Sequence, residues 1–198
     1  TALAGLVKKV IYLKDGQRGV LRFGQAEIGP SRPRIEPLDL NPEQAKKGRF
    51  PHFMLKEIFE GPEVLESALR GRLLTVKNSV KLGGLESVAE KLRGIEKLEI
   101  LACGTSYYAG LVGEMLFEEL AGLPAEIALA SEYRYAKHPI IKNAAALFIS
   151  QSGETADTLA ALRKANHRGL LTLGIVNAVG SSIARETVAG VYNHAGPE

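Results

Sequence analysis

Residues 98–122 read LEILACGTSYYAGLVGEMLFEELAG, and residues 146–169 read ALFISQSGETADTLAALRKANHRG. Each opens with a short apolar run and passes through a turn of Gly, Ser and Thr. Each then continues with apolar residues at helical spacing, and the first stops at Gly122. The alternation recurs around them. AEIALAS (125–131) and LLTLGIV (170–176) read as strands, GSSIARE (180–186) as a short helix, and AGVYNH (189–194) as a last strand. Strands alternating with helices predict an α/β fold, a three-layer sandwich around a parallel sheet of about five strands, flavodoxin-like or Rossmann-like.

The two turns carry the chemistry. Cys103-Gly104-Thr105-Ser106 follows LEILA, and Ser150-Gln151-Ser152-Gly153-Glu154-Thr155 follows ALFI. Both lie at the carboxyl ends of strands and open helices, which is where open α/β sheets bind ligands. Gly104 and Gly153 let the backbone turn tightly and approach a ligand. The helix starts offer free N–H groups and a positive dipole end. The hydroxyls of Thr105, Ser106, Ser150, Ser152 and Thr155 add donors, so an anion such as a phosphate is held without Lys or Arg. A single loop of this kind is equally an ordinary helix cap; two of them at strand ends point to a ligand.

Competing motifs fail on their own terms. GTSYYAG lacks the Lys-Ser/Thr of a nucleotide-binding P-loop. The nucleophile elbow needs Gly two positions either side of its Ser, and Ser150 and Glu154 flank Ser152 instead. No GxGxxG follows a strand. Cys103 reads as a small residue at a strand end rather than a nucleophile. Glu154 is expected to point away from an anion and favour a helix dipole. Asp157 reads as a solvated first-turn residue, Ser181 and Ser182 as caps of the next helix that could also help line the ligand crevice, and His194 as a surface or interface residue rather than a catalyst.

The rest of the chain differs in character. VKKVIYLKDGQRGVLRF (7–23) places two β-rich runs around Asp15-Gly16, a hairpin signal. Residues 29–51 hold five of the nine prolines and read as a linker. The expected organisation is a hairpin remnant over 1–28, a linker over 29–51 and the α/β domain over 52–198. HFMLKEIFEGPEVLESALRGRL (52–73) suggests two short helices broken at Gly61-Pro62, and LESVAEKLRG (85–94) a third.

The 198 residues carry 25 Lys/Arg and 22 Asp/Glu, a formal charge of +3. Residues 1–50 hold 10 basic and 5 acidic side chains, leaving 15 and 17 for the remainder. The larger part is thus slightly acidic, which argues against a nucleic-acid partner. One cysteine excludes an internal disulfide and a multi-cysteine zinc site. The histidines at 52, 138, 167 and 194 lack ligand spacing, so no metal is expected. No apolar run reaches membrane-spanning length and the start, TALAGLVKK, has no signal-peptide pattern, so a cytoplasmic chain with no membrane partner is expected.

CGTSYYAG, SEYRY, SQSGETADTLAALR, NAVGSSIARE and the terminal AGPE resemble the first sugar-isomerase (SIS) domain of the glutamine–fructose-6-phosphate aminotransferase family. KGRFPHFMLKEIFEGP (47–62) is similar to that family's interdomain segment, with Gly61 where the family has Gln. The likeness is close over about residues 46–198 and looser over the hairpin. It implies an enzyme that takes ammonia from glutamine and passes it to fructose 6-phosphate, giving glucosamine 6-phosphate for UDP-N-acetylglucosamine. It implies no metal and no organic cofactor. By motif, Thr105, Ser106, Ser150, Gln151, Ser152 and Thr155 hold the sugar phosphate, with Gly104 and Gly153 as supporting loop residues. The family's glutaminase nucleophile is an N-terminal cysteine, whereas the one cysteine here is Cys103. A second SIS domain supplies the acid/base residues. The expectation is a homodimerising phosphosugar-binding part with no catalytic residue and no turnover of its own. Its partners are the glutaminase and second SIS domains of the same enzyme. The alternatives are a stand-alone phosphosugar-sensing regulator and a small sugar-phosphate isomerase.

Overall fold

The computed structural model describes residues 6–11, 13, 16–29, 35–37, 46–137, 139 and 141–196. Asp15, Pro30, Pro33, Pro42, His138 and the last two residues of AGPE lie outside them. The chain divides into two units, residues 1–60 with 196–198, and residues 61–195.

In the first unit, β1 (Lys9–Val10) pairs antiparallel with β4 (Glu36–Pro37), and β2 (Arg18–Arg22) with β3 (Gln25–Gly29). β2 and β3 thus form a hairpin that turns at Phe23-Gly24; the expected turn at Asp15-Gly16 falls on residues that include Asp15, outside the described ones. Arg22 faces Gln25, and Gly24 takes a positive φ of +75°, which glycine adopts without steric cost. Helix α1 (Phe53–Leu69) is one element of 17 residues with Pro62 inside it. The expected break at Gly61-Pro62 does not occur. Pro62 removes one N–H and frees the Ile58 carbonyl, but no residue of the helix is buried, so water can satisfy that carbonyl.

The second unit starts at Gly61, within α1, and continues with a small hairpin, β5 (Leu73–Leu74) with β6 (Ser79–Val80), around a 3-10 turn at Thr75–Lys77. The expected helix over 85–94 is a 3-10 helix, Gly83–Val88, running into α2 (Ala89–Arg93). Then follow β7 (Lys97–Ala102), α3 (Thr105–Ala121), β8 (Ala125–Leu129), α4 (Ala130–Tyr133), β9 (Ala144–Ser150), α5 (Ala156–His167), β10 (Leu171–Val176), α6 (Ser182–Glu186) and β11 (Ala189–Tyr192). The strand expected over 125–131 ends at Leu129, where α4 begins.

Five strands form one sheet in the order β11-β10-β9-β7-β8, every neighbouring pair parallel. The α/β expectation holds. Alternation along the strands sends side chains to two cores. Leu101, Ala146, Phe148 and Val176 pack with Ala161, Leu162, Ala165 and Ile183 from α5 and α6. Leu98, Ile100, Ala145 and Leu147 pack with Val88 on the other face, where Phe117 of α3 joins them. The sheet is thus the middle of three layers. Gly84 and Gly190 allow a close crossing at the sheet edge, since a Cβ on Gly84 would lie 1.8 Å from the Gly190 carbonyl oxygen.

Candidate functional site

The strand order fixes the site. From β7 the chain moves outward to β8, and from β9 it moves the other way to β10 and β11. β7 and β9 lie side by side between these directions, with Ala102 opposite Ile149. Their carboxyl ends border a topological switch point, where loops diverge and leave a crevice. The two Gly/Ser/Thr turns of the sequence leave these two strand ends.

Gly104 stands at the position before α3 with φ +59° and ψ −139°, a conformation essentially restricted to glycine. No side chain caps the helix start; the Tyr107 N–H donates to the Gly104 carbonyl at 3.0 Å, which leaves the N–H groups of Thr105 and Ser106 to meet a ligand. Thr105 and Ser106 form the first turn of α3, Thr105 exposed and Ser106 half-buried.

The second loop is held more tightly. The Ser150 hydroxyl is buried and accepts the Gly153 N–H at 3.0 Å, and the Ser152 hydroxyl accepts the Glu154 N–H at 3.2 Å. Gly153 has φ +64°, and a Cβ there would lie 2.0 Å from Ser181 Oγ and 2.8 Å from Val176 Cγ1. Thr155 stands at the start of α5 without a capping bond from its side chain. The loop after β10 buttresses this one, the Ala178 N–H donating to the Gln151 carbonyl at 3.1 Å and the Ile183 N–H to the Gly153 carbonyl at 3.0 Å.

Charges around the loops are compensated. The Glu154 carboxylate turns to the start of α6 and accepts the Ser182 N–H at 2.7 Å. The dipole it meets is that of α6, not of the helix it precedes. Asp157 is not simply solvated: it pairs with Arg134 at 2.6 Å. That hydrogen bond, first among the causes, raises the Arg134 guanidinium above its ordinary value. Ser181 occupies the position before α6 but makes no capping bond. Cys103 is half-buried, and its Sγ lies 3.7 Å from the Thr158 hydroxyl that donates to it. His194 is exposed. Among the described residues, no cluster of three His, Cys, Asp or Glu is placed to hold a metal, and no helix is long and apolar enough to cross a membrane.

A buried ionic group behind the sheet escaped the sequence reading. Glu99, 7% exposed in β7, accepts from the Tyr133 hydroxyl at 2.7 Å and from Arg168 at 3.2 Å. Arg168 also donates to the Tyr133 oxygen and to the Pro139 carbonyl. Burial, and next the bond to Glu99, push the Tyr133 phenol well up. A lone carboxylate within an apolar strand is the signal that marks such a group.

The sequence model of the SIS domain family matches residues 91–198. The chain belongs to the SIS domain family. It is 46% identical over 195 residues to the isomerizing glutamine–fructose-6-phosphate aminotransferase of Chlorobaculum tepidum, covering 96% of this chain and 32% of that protein. It is 47% identical over 202 residues to the same enzyme of Symbiobacterium thermophilum, covering 100% of this chain and 33% of that one. Among solved structures it is similar to the C-terminal domain of glucosamine-fructose-6-phosphate aminotransferase from Francisella tularensis. There the TM-score is 0.70 and the identity 35%, with 77% of this chain and 42% of that chain covered. This SIS domain chain thus spans about a third of the length of the curated relatives it matches.

Proposed function

We infer that this chain is the first SIS domain of a glutamine–fructose-6-phosphate aminotransferase and that its crevice holds the phosphoryl group of fructose 6-phosphate. One observation carries the reading: two hydroxyl-rich turns, each opening a helix of twelve or more residues, leave adjacent parallel strands at the switch point. The phosphate oxygens take hydrogen bonds from the first N–H groups of α3 and α5. Further bonds come from Thr105, Ser106, Ser150, Ser152 and Thr155 and from the Gln151 amide. Gly104 and Gly153 keep the backbone free of side chains at the point of approach.

The magnitudes are adequate without a cation. A hydrogen bond to a charged group contributes about 1.5–3 kcal/mol, and millimolar to micromolar binding needs about −4 to −8 kcal/mol. Three or four such bonds suffice. The positive ends of two helices offset the phosphate charge, and Glu154, directed to α6, leaves the approach clear.

The whole enzyme transfers the amide nitrogen of glutamine to fructose 6-phosphate and isomerises the product to glucosamine 6-phosphate, the entry to UDP-N-acetylglucosamine. Residues 1–51 are the tail of its glutaminase domain and the linker, and residues 52–198 the SIS domain. A second SIS domain supplies the acid/base groups, the enzyme is a cytoplasmic homodimer, and this chain alone gives no turnover. The strong identity to aminotransferases over the whole chain supports this reading over a regulator or a small isomerase. Amide hydrogen exchange tests it. Fructose 6-phosphate is expected to slow exchange at residues 105–107 and 153–156; unchanged exchange there at saturating ligand contradicts it.

A further inference from the structure

Ser181 is the one buried side chain, among the described residues, whose polar atom has no hydrogen-bond partner. It is 5% exposed. A serine directly before a helix ordinarily caps it with its hydroxyl, but this hydroxyl makes no such bond. The Ile183 N–H that such a cap takes donates instead to the Gly153 carbonyl at 3.0 Å, while the Glu154 carboxylate takes the Ser182 N–H. The Ser181 hydroxyl is left beneath Gly153, where a Cβ would stand 2.0 Å from it. A buried hydroxyl without a partner destabilises the fold that contains it, so its presence calls for a reason.

The loop above it supplies one. The N–H groups of Gly153 and Glu154 are occupied by the loop's own hydroxyls, those of Ser150 and Ser152. An anion drawn to the start of α5, two residues beyond Glu154, would compete with the serine hydroxyls for these same N–H groups. Taking them releases both serine hydroxyls toward the anion and shifts Gly153. The hydroxyl directly beneath Gly153 then lies next to backbone groups whose partners have changed.

Resting on the phosphate-site reading above, we propose that Ser181 is a positioning residue of that site. Its hydroxyl is a hydrogen-bonding group held in reserve under Gly153. It gains its partner when a phosphomonoester enters and the 150–155 loop exchanges internal hydrogen bonds for bonds to the phosphate. Ser181 does not touch the ligand; it stabilises the occupied form of the loop.

The test is Ser181→Ala in this chain, read by melting temperature without ligand and by calorimetric titration with fructose 6-phosphate. Removing an unpartnered buried hydroxyl is expected to leave the ligand-free melting temperature unchanged or higher, while fructose 6-phosphate affinity falls about tenfold. A merely structural serine gives the reverse, a lower melting temperature with unchanged affinity, and that result overturns the proposal. Equal affinity with an unchanged melting temperature overturns it too. Wild-type chain that fails to bind fructose 6-phosphate overturns the site itself, so the two failures are told apart.

Discussion

Arg134 reaches from the turn after α4 to Asp157 in the first turn of α5, their charged atoms 2.6 Å apart. The bond anchors the start of the helix whose preceding loop is SQSGET. Lys164, further along α5, donates to the carbonyls of Tyr133 and Arg134 at 3.1 and 3.4 Å. The segment SEYRY thus holds α5, the helix that follows the SQSGET loop.

Arg134→Ala is expected to lower the melting temperature only slightly, because both partners are partly exposed and water screens them. The difference from wild type narrows in 1 M salt but does not vanish, because the pair is partly exposed yet its 2.6 Å separation lies within the screening length of about 3 Å. Thermal melts at low and high salt check it; a large, salt-independent loss contradicts it.

Gly153→Ala and Gly104→Ala separate conformational strain from overlap. Both residues have positive φ, but a Cβ at Gly104 meets nothing within 4 Å, whereas one at Gly153 overlaps Ser181 and Val176. Gly104→Ala costs the backbone strain alone, about 1–3 kcal/mol. Gly153→Ala adds an overpacking cost of about 1–3 kcal/mol. Urea midpoints of the two variants give the order; equal losses contradict the packing described around Gly153.

Glu99, Tyr133 and Arg168 make a buried group that no solvent screens well, their ion-pair side chains 10% and 12% exposed. Glu99→Ala leaves Arg168 without its counter-charge and is expected to cost about 3–5 kcal/mol. Denaturant unfolding measures it; a loss under 1 kcal/mol contradicts the burial.

Tyr133 also sets a pH dependence. Its phenol is raised above its ordinary value of 10.0, so the folded protein favours the protonated form. The stability this contributes is fully present below pH 10 and is lost as pH rises above it, where the unfolded chain ionises first. Melting temperature is expected to be flat from pH 7 to 9 and to fall above pH 10, more steeply in wild type than in Tyr133→Phe. Parallel curves for the two proteins contradict the assignment.

Ser150 and Ser152 are expected to part ways. Ser152 is exposed and its hydroxyl accepts one loop N–H. Ser152→Ala therefore weakens fructose 6-phosphate binding about tenfold and barely moves the melting temperature. Ser150 is 5% exposed and its hydroxyl satisfies the Gly153 N–H. Ser150→Ala loses binding and about 1–2 kcal/mol of stability as well. Paired melts and titrations decide between this and simple capping, in which both variants lose stability alike.

The parts of this fold that the sequence makes legible are those with local causes. Apolar runs such as LEILA, the helical spacing after Thr105 and Thr155, and the Gly/Ser/Thr turns all encode their structure within a few residues. Strand order is different. That β7 lies beside β9 depends on pairing between residues some 47 positions apart, such as Ala102 and Ile149, and no local pattern states it. The hairpin turn at Phe23-Gly24 lacks the Asn-Gly or Asp-Gly pair that marks such turns, and the helix through Pro62 persists because its freed carbonyl is open to water. Glu99 was visible as a charge in an apolar strand, but its partners lie 34 and 69 residues away. Ser181 looked like an ordinary cap because the groups that take the first N–H bonds of α6, the Gly153 carbonyl and the Glu154 carboxylate, come from another loop.

The central claim is that two helix starts at the switch point bind a phosphoryl group without Lys or Arg. Calorimetric titration of the chain with fructose 6-phosphate, glucose 6-phosphate and unphosphorylated fructose tests it most directly. Micromolar to millimolar binding of both phosphates is expected, with at least a tenfold weaker response to fructose. Equal affinity for fructose and fructose 6-phosphate contradicts it.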